Sequence, residues 1–276
     1  MNVRGNSMYN FLRESKYIDF SAPIVAEKAR TLFSSILNDI QKTRVAYEFV
    51  RDNIPHSFDI NAGIVTAKAS DVLLHNTGIC HAKANLLAAL LRSQGIPAGF
   101  CFQRITRAGD DSKGYCLHCY SAVWLDGHWI KLDARGNTNG KNAQFALGEP
   151  LLAFPCRPQY QEYFLPGIYA APHAETMNVL ERAASLQDVL ENLPDAHCFG
   201  ERSVNAMMRC MNCGSEAYRI ESLFCQKCGT PLNTRDDIQT RNICTNPECN
   251  WHKTQFIYPD DARFCDVCGS PTVYAK

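Results

Sequence analysis

The sequence predicts a mixed α+β domain followed by a small cysteine-rich metal module. Three observations carry this. Helix-period apolar runs alternate with a hairpin pattern over roughly the first 190 residues. A long helix opens directly on a cysteine, in HNTGICHAKANLLAALLRSQGIPAG, His75 to Gly99. Eight of the fourteen cysteines lie after residue 209, in four close pairs.

Composition bounds the rest. A chain of 276 residues suffices for one good core and one or two small appendages. Lys+Arg and Asp+Glu are 28 each, so zero net charge gives no general attraction to nucleic acid or an anionic membrane. The first twenty residues hold no apolar run of signal-peptide type, and no segment reads as a membrane span. A cytoplasmic location is expected, where disulfides are rare. Cysteines in that compartment point to metal ligation and catalysis.

Taken in order, Ala22 to Asn38 has helical spacing (Ile24, Val25, Ala29, Leu32, Phe33, Leu37). Asp39 is expected to cap a second helix running through Val50. Thr77-Gly78 supplies a turn and cap for the third, which Gly95 and Pro97 stop. Gly99 to Arg107 reads as a strand, and two more flank the hairpin signal Asp126-Gly127. One helix is expected over Glu175 to Asn192, ended by Leu193-Pro194, then a linker.

Cys80 is placed at the positive end of its helix. Free N–H groups and the helix dipole favour a thiolate there and can hold an oxyanion. The plainer reading is a small buried thiol. A thiolate nucleophile needs a base and an orienting group. With a two-residue turn at Asp126-Gly127, Leu125 opposes His128 and Tyr120 opposes Asp133. His118, Tyr120, Ala122, Trp124, Trp129, Lys131, Asp133 and Arg135 then share one face; Val123, Leu125, Ile130 and Leu132 form the core face. His118 and Asp133 become diagonal neighbours across the strands, where a carboxylate can hold an imidazole.

The run from Cys80 through LLAALLRSQGIPAG resembles the cysteine helix of the transglutaminase-like superfamily. His118 to Asp133, HCYSAVWLDGHWIKLD, resembles its His-strand, turn and Asp-strand, and AYEFVRDNIPHSF resembles the helix before them. The likeness covers about residues 25 to 150. It implies a papain-like core with an antiparallel sheet and a central cysteine helix. Cys80 would be nucleophile, His118 base and Asp133 its orienting partner. The implied activity is thiol-dependent amide hydrolysis through an acyl-enzyme thioester. The alternatives are protein transamidation, or an inactive fold that binds protein through its metal module. Cys116 and Cys119 have metal-like spacing but would face opposite ways on a strand. Cys101, Cys156 and Cys198 read as ordinary thiols, and His81 as a helix-surface residue.

The terminal pairs are Cys210/Cys213 with Cys225/Cys228, eleven residues between, and Cys244/Cys249 with Cys265/Cys268, fifteen between. This is the spacing of two four-sulfur zinc sites, with Gly214, Gly229 and Gly269 after three of the pairs. It resembles a double zinc ribbon. Two structural zinc ions and no organic cofactor are expected. His252 is a spare ligand. Residues 201–276 carry nine Lys/Arg and nine Asp/Glu, and two Zn(Cys)4 centres would each add about −2, which disfavours phosphate binding. Trp251, Phe256 and Tyr258 can dock a protein, so substrate or partner recognition, or plain stability, is expected of this module over DNA binding, and the substrate is expected to be a peptide or protein. The expected domains are 1–172, catalytic; 173–208, helix and linker; and 209–276, the double ribbon.

Overall fold

A four-stranded antiparallel sheet in the order β3-β2-β1-β4 forms the frame of the first unit. Its strands are β1 (Ala98–Thr106), β2 (Tyr115–Leu125), β3 (His128–Leu132) and β4 (Tyr163–Phe164). The computed structural model describes residues 8–35, 38–196, 208–209, 216–218, 242–253, 256, 258 and 262–273. The chain divides into two compact units. One comprises Met1–Phe164 with Ala170–Ala196, the other Leu165–Tyr169 with His197–Lys276.

In the first unit the helices are α1 (Pro23–Leu32), α2 (Asp39–Asn53), α3 (Ala69–His75), α4 (Cys80–Arg92), α5 (Ala174–Arg182) and α6 (Leu186–Asn192). The β2–β3 hairpin has the expected register, with Leu125 opposite His128 and Trp124 opposite Trp129. Asp126 and Gly127 take φ of 48° and 86°, the paired left-handed geometry that suits a two-residue hairpin and favours glycine at its second position.

Several local expectations are corrected. The first helix ends at Leu32, short of Asn38. Asn38, not Asp39, caps the second: its side chain accepts from the Gln41 N–H at 2.8 Å, and Asp39 occupies the first turn. The stretch 175–192 is two helices. Ser185 restarts the second by accepting from the Asp188 N–H at 3.1 Å while Asp188 accepts from the Ala184 N–H. Val123, Leu125, Ile130 and Leu132 are buried as expected, but the other face of β2 is closed as well. Tyr120 and Ala122 are as buried as Val123 and Leu125.

Alpha-4 is buried on all sides, including His81, Lys83, Asn85 and Arg92. Each polar member is bonded to backbone that α4 must hold in place. Arg92 donates to the carbonyls of Arg13, Ala98 and Ala170, and Asn85 to that of Ala67. Met177, Leu180, Val189 and Leu193 join Ile79, Ile105 and Cys116 in one buried cluster, so α5 and α6 belong to the core of this unit.

In the second unit Met208–Arg209 and Glu216–Tyr218 pair antiparallel, and a one-turn helix spans Asn250–Lys253. No helix among the described residues is long and apolar enough to cross a membrane.

Candidate active site

Cys80 stands where the chain comes off a parallel bridge between His56 and Gly78. The Ser57 N–H donates to the Gly78 carbonyl at 3.2 Å and the Gly78 N–H to the Pro55 carbonyl at 3.4 Å. A side chain at Gly78 would meet Val72 and Ala82 at 3.2 Å, so those neighbours would have to give by a few tenths of an ångström. Thr77 is spent on Ser57 and Pro55 and does not cap the helix; the N-cap is Ile79, which has no side-chain acceptor. His56 fills that role from outside. Its Nε2 accepts from the Cys80 N–H at 3.1 Å. The ring proton therefore sits on Nδ1, which is buried with no hydrogen-bond partner. Burial, then the charges of Arg135, Lys83 and His118, push His56 well below its ordinary value, so it is neutral.

His118 comes from β2 and Asp133 from the residue after β3. His118 Nε2 donates to Asp133 Oδ2 at 2.8 Å, with both side chains 1% exposed. The other ring nitrogen is left for Cys80, and thiol and imidazole each shift the other's protonation. Asp133 is held from two further sides, by the Arg135 N–H at 3.1 Å and the Ala153 N–H at 3.0 Å. Phe154 packs edge-on to His118 with centroids 4.8 Å apart.

The electrostatics follow from this packing. Burial pushes the Cys80 thiol up, but the adjacent His118 and a hydrogen bond from the Cys119 backbone outweigh it, and the net shift is down. Burial pushes His118 down, while Asp133 and Cys80 raise it to about 10. Asp133 is raised by burial and lowered more by His118 and its two backbone donors. The three groups thus favour thiolate, imidazolium and carboxylate together. Cys116, Cys119 and Cys156 are each pushed up, burial being the main cause.

Two supports were not legible in the sequence. The Lys83 ammonium, on α4, donates to the carbonyls of Ile54, Arg135 (2.9 Å) and Arg51 (3.4 Å), tying the segments that carry His56 and Asp133 to the cysteine helix. Arg135 also pairs with Asp59, Nη2 to Oδ1 at 2.8 Å. His81 is not a surface residue. It is 1% exposed, with Nε2 2.9 Å from the Leu117 carbonyl. A cleft of about 630 Å³ opens beside Cys80 and His118 and is lined by His56, Phe58, Phe154 and Lys141 among others.

In the second unit the sulfurs of Cys244, Cys249, Cys265 and Cys268 lie within 4.8 Å of one another. The cross-pair contacts Cys244–Cys268 and Cys249–Cys265 are 3.5 and 3.7 Å. A tetrahedral ion with metal–sulfur bonds of about 2.3 Å sets sulfurs about 3.8 Å apart, so the cluster fits a metal ion. Gly269 has φ 69°, and its N–H donates to the Cys265 carbonyl at 2.9 Å, closing the tight turn after the second pair. His252 is outside the ligand set: its Nδ1 lies 2.6 Å from the Cys244 carbonyl. Trp251, Phe256 and Tyr258 pack in series, the first pair tilted and the second edge-to-face, with centroids 4.4 and 5.1 Å apart. Cys210, Cys213, Cys225 and Cys228 lie outside the described residues.

Residues 26–134 match the family model of the transglutaminase-like superfamily. Among solved structures the chain is similar to one described as "a Putative Cysteine Protease from Cytophaga hutchinsonii", with 22% identity and a TM-score of 0.36. That similarity covers 46% of this chain and 42% of the other, less than half of its length. No curated protein gives a significant match.

Proposed function

We propose that this chain is a thiol-dependent amide hydrolase in which Cys80, His118 and Asp133 act as a triad. The observation that carries the reading is the pairing of a depressed, half-buried thiol with a carboxylate-held imidazole at a helix start. The Cys80 thiolate attacks the substrate carbonyl carbon. The negative oxygen forms beside the α4 N-terminus, where the Cys80 N–H, held by His56 Nε2 before substrate binds, would turn to it as donor. As the C–N bond breaks, the imidazolium gives its proton to the leaving amine, leaving a thioester. Neutral His118 then takes a proton from water, which attacks the thioester; the thiolate departs and a carboxylic acid is released. An amine in place of that water would give transamidation by the same steps.

The four-sulfur cluster is proposed to hold zinc as a structural ion, since four soft ligands leave no open position for water. A peptide or protein amide is the proposed substrate.

An electrophilic peptidyl ketone that alkylates cysteine hydrolases tests the triad. The expected result is one label, on Cys80, that disappears in His118→Ala while circular dichroism is unchanged. Labelling of Cys116 or Cys156 at the same rate contradicts the assignment.

A further inference from the structure

Charge around the cleft is unbalanced. Arg107, Arg135, Lys141 and Arg157 line it, against the single carboxylate of Glu162. Two of the cations are neutralised. Arg157 Nε donates to Glu162 Oε2 at 2.9 Å, and Arg135 is paired with Asp59, whose oxygens also accept from Thr138 and Asn139. The other two are not. Arg107 donates to two uncharged carbonyls, those of Tyr115 at 2.8 Å and Leu193 at 2.6 Å. The Lys141 ammonium makes no hydrogen bond or ion pair among the described residues, and its neighbour is the Phe154 ring, with the centroid at 5.3 Å.

Phe154 is also the ring packed on His118, so Lys141 stands one aromatic ring away from the reacting pair. The Lys141 ammonium is half-buried and has no carboxylate in contact with it, so its charge is open to an anion entering the cleft. Its environment agrees: burial and the nearby Arg135 guanidinium push Lys141 down more than the Asp59 carboxylate raises it, and a bound carboxylate would act in the same direction as Asp59. Phe58, Phe154 and Ile79 supply apolar wall on the same cleft.

We infer that the cleft selects amide substrates carrying a carboxylate close to the scissile bond, and that Lys141 is the side chain that recognises it. The substrate class is an acidic peptide. The carboxylate can belong to an Asp or Glu side chain or to a free C-terminus. The inference rests on Cys80 being the nucleophile.

The test separates the two ideas by using a charged and an uncharged alkylating agent on the full-length protein. Iodoacetate carries the carboxylate; iodoacetamide is its neutral counterpart. Lys141→Glu is expected to slow iodoacetate at Cys80 about tenfold at low salt and to leave iodoacetamide within about twofold. Peptide arms then locate the carboxylate. Amidated peptides with internal Glu against Gln, and neutral peptides with free against amidated C-termini, are compared with Lys141→Gln. The variant should raise KM about tenfold for whichever carboxylate is used and leave kcat in place. An unchanged iodoacetate-to-iodoacetamide ratio in Lys141→Glu, with Cys80 still labelled by iodoacetamide, overturns the inference alone. Cys80 inert to both reagents brings down the nucleophile assignment and this inference with it.

Discussion

His118 and Asp133 are fifteen residues apart in sequence and 2.8 Å apart in space, joined through a hairpin whose turn sets their register. Asp133 has three donors on its two oxygens, so its work is both orientation and support. Asp133→Asn keeps the size of the group but turns one acceptor into a donor. The expected outcome is a kcat lower by about a factor of 10³ to 10⁴. Thermal denaturation should show the fold retained with a loss of about 1–3 kcal/mol from the unpaired backbone donor. Wild-type kcat in the variant contradicts the orienting role.

His56 caps the reactive helix from a neighbouring segment, and this separates two variants. His56→Ala removes the acceptor for the Cys80 N–H and is expected to cost about 0.5–2 kcal/mol of stability, the range of a lost N-cap. It should also slow turnover of any true substrate, since the start of the helix that carries the nucleophile loses its anchor. His56→Gln, with both acceptor and donor, should recover part of each. Equal behaviour of the two variants is the contrary result, checked by urea midpoint and kcat.

Where the sequence was informative, the signal was local. Asp126-Gly127 announces its turn because only a few residue types tolerate two left-handed positions, and the register of β2 on β3 follows. That in turn brings His118 to Asp133. His56 was hidden because its partner is a backbone N–H twenty-four residues away, reached through a single bridge at Gly78. Lys83 and His81 were unreadable for another reason. Helical periodicity assumes a wet face, and α4 has none, so polar side chains on it turn inward to bind carbonyls. The break at Ala183–Ser185 was visible as Ser185 and Asp188 at capping spacing, yet continuous apolar periodicity on either side masked it.

Lys83 gives a prediction with a sign. Lys83→Met leaves the carbonyls of Arg51, Ile54 and Arg135 without their donor, and a loss of about 3 kcal/mol is expected at neutral pH. Burial, then Arg135, pushes the folded-state value of Lys83 down to about 7, below its unfolded value of about 10.4. Between those limits the unfolded chain holds the extra proton, so this residue's contribution rises with pH. His118, raised to about 10, runs the other way: its contribution is present below about 6.5 and lost as pH rises through about 10. Subtracting the variant from wild type cancels the His118 contribution. Urea midpoints from about pH 7 to 10 should show the difference growing; a flat or shrinking difference contradicts it.

Metal content is predicted to follow the cysteine pairs. The full chain should carry zinc, and Cys249→Ser should lose one equivalent by elemental analysis. A strong chelator should expose residues 242–273 to protease while Cys80 stays reactive. A truncation ending at Ala196 keeps Met177, Leu180, Val189 and Leu193 in their cluster, so it should remain folded and hold no zinc. Stoichiometric zinc in that truncation would contradict the ligand assignment.

Cys80 is proposed to be a thiolate held by His118, and the alkylation rate of each thiol against pH measures that directly. Cys156 is the internal standard, half-buried like Cys80 but with its thiol pushed up by burial and Glu162. Cys80 should reach its plateau with a midpoint below that of an ordinary thiol, while Cys156 should respond only above it. In His118→Ala the Cys80 plateau should vanish. A Cys80 profile rising with an ordinary midpoint near about 8.5, in step with Cys156 and unmoved by His118→Ala, would contradict the central claim.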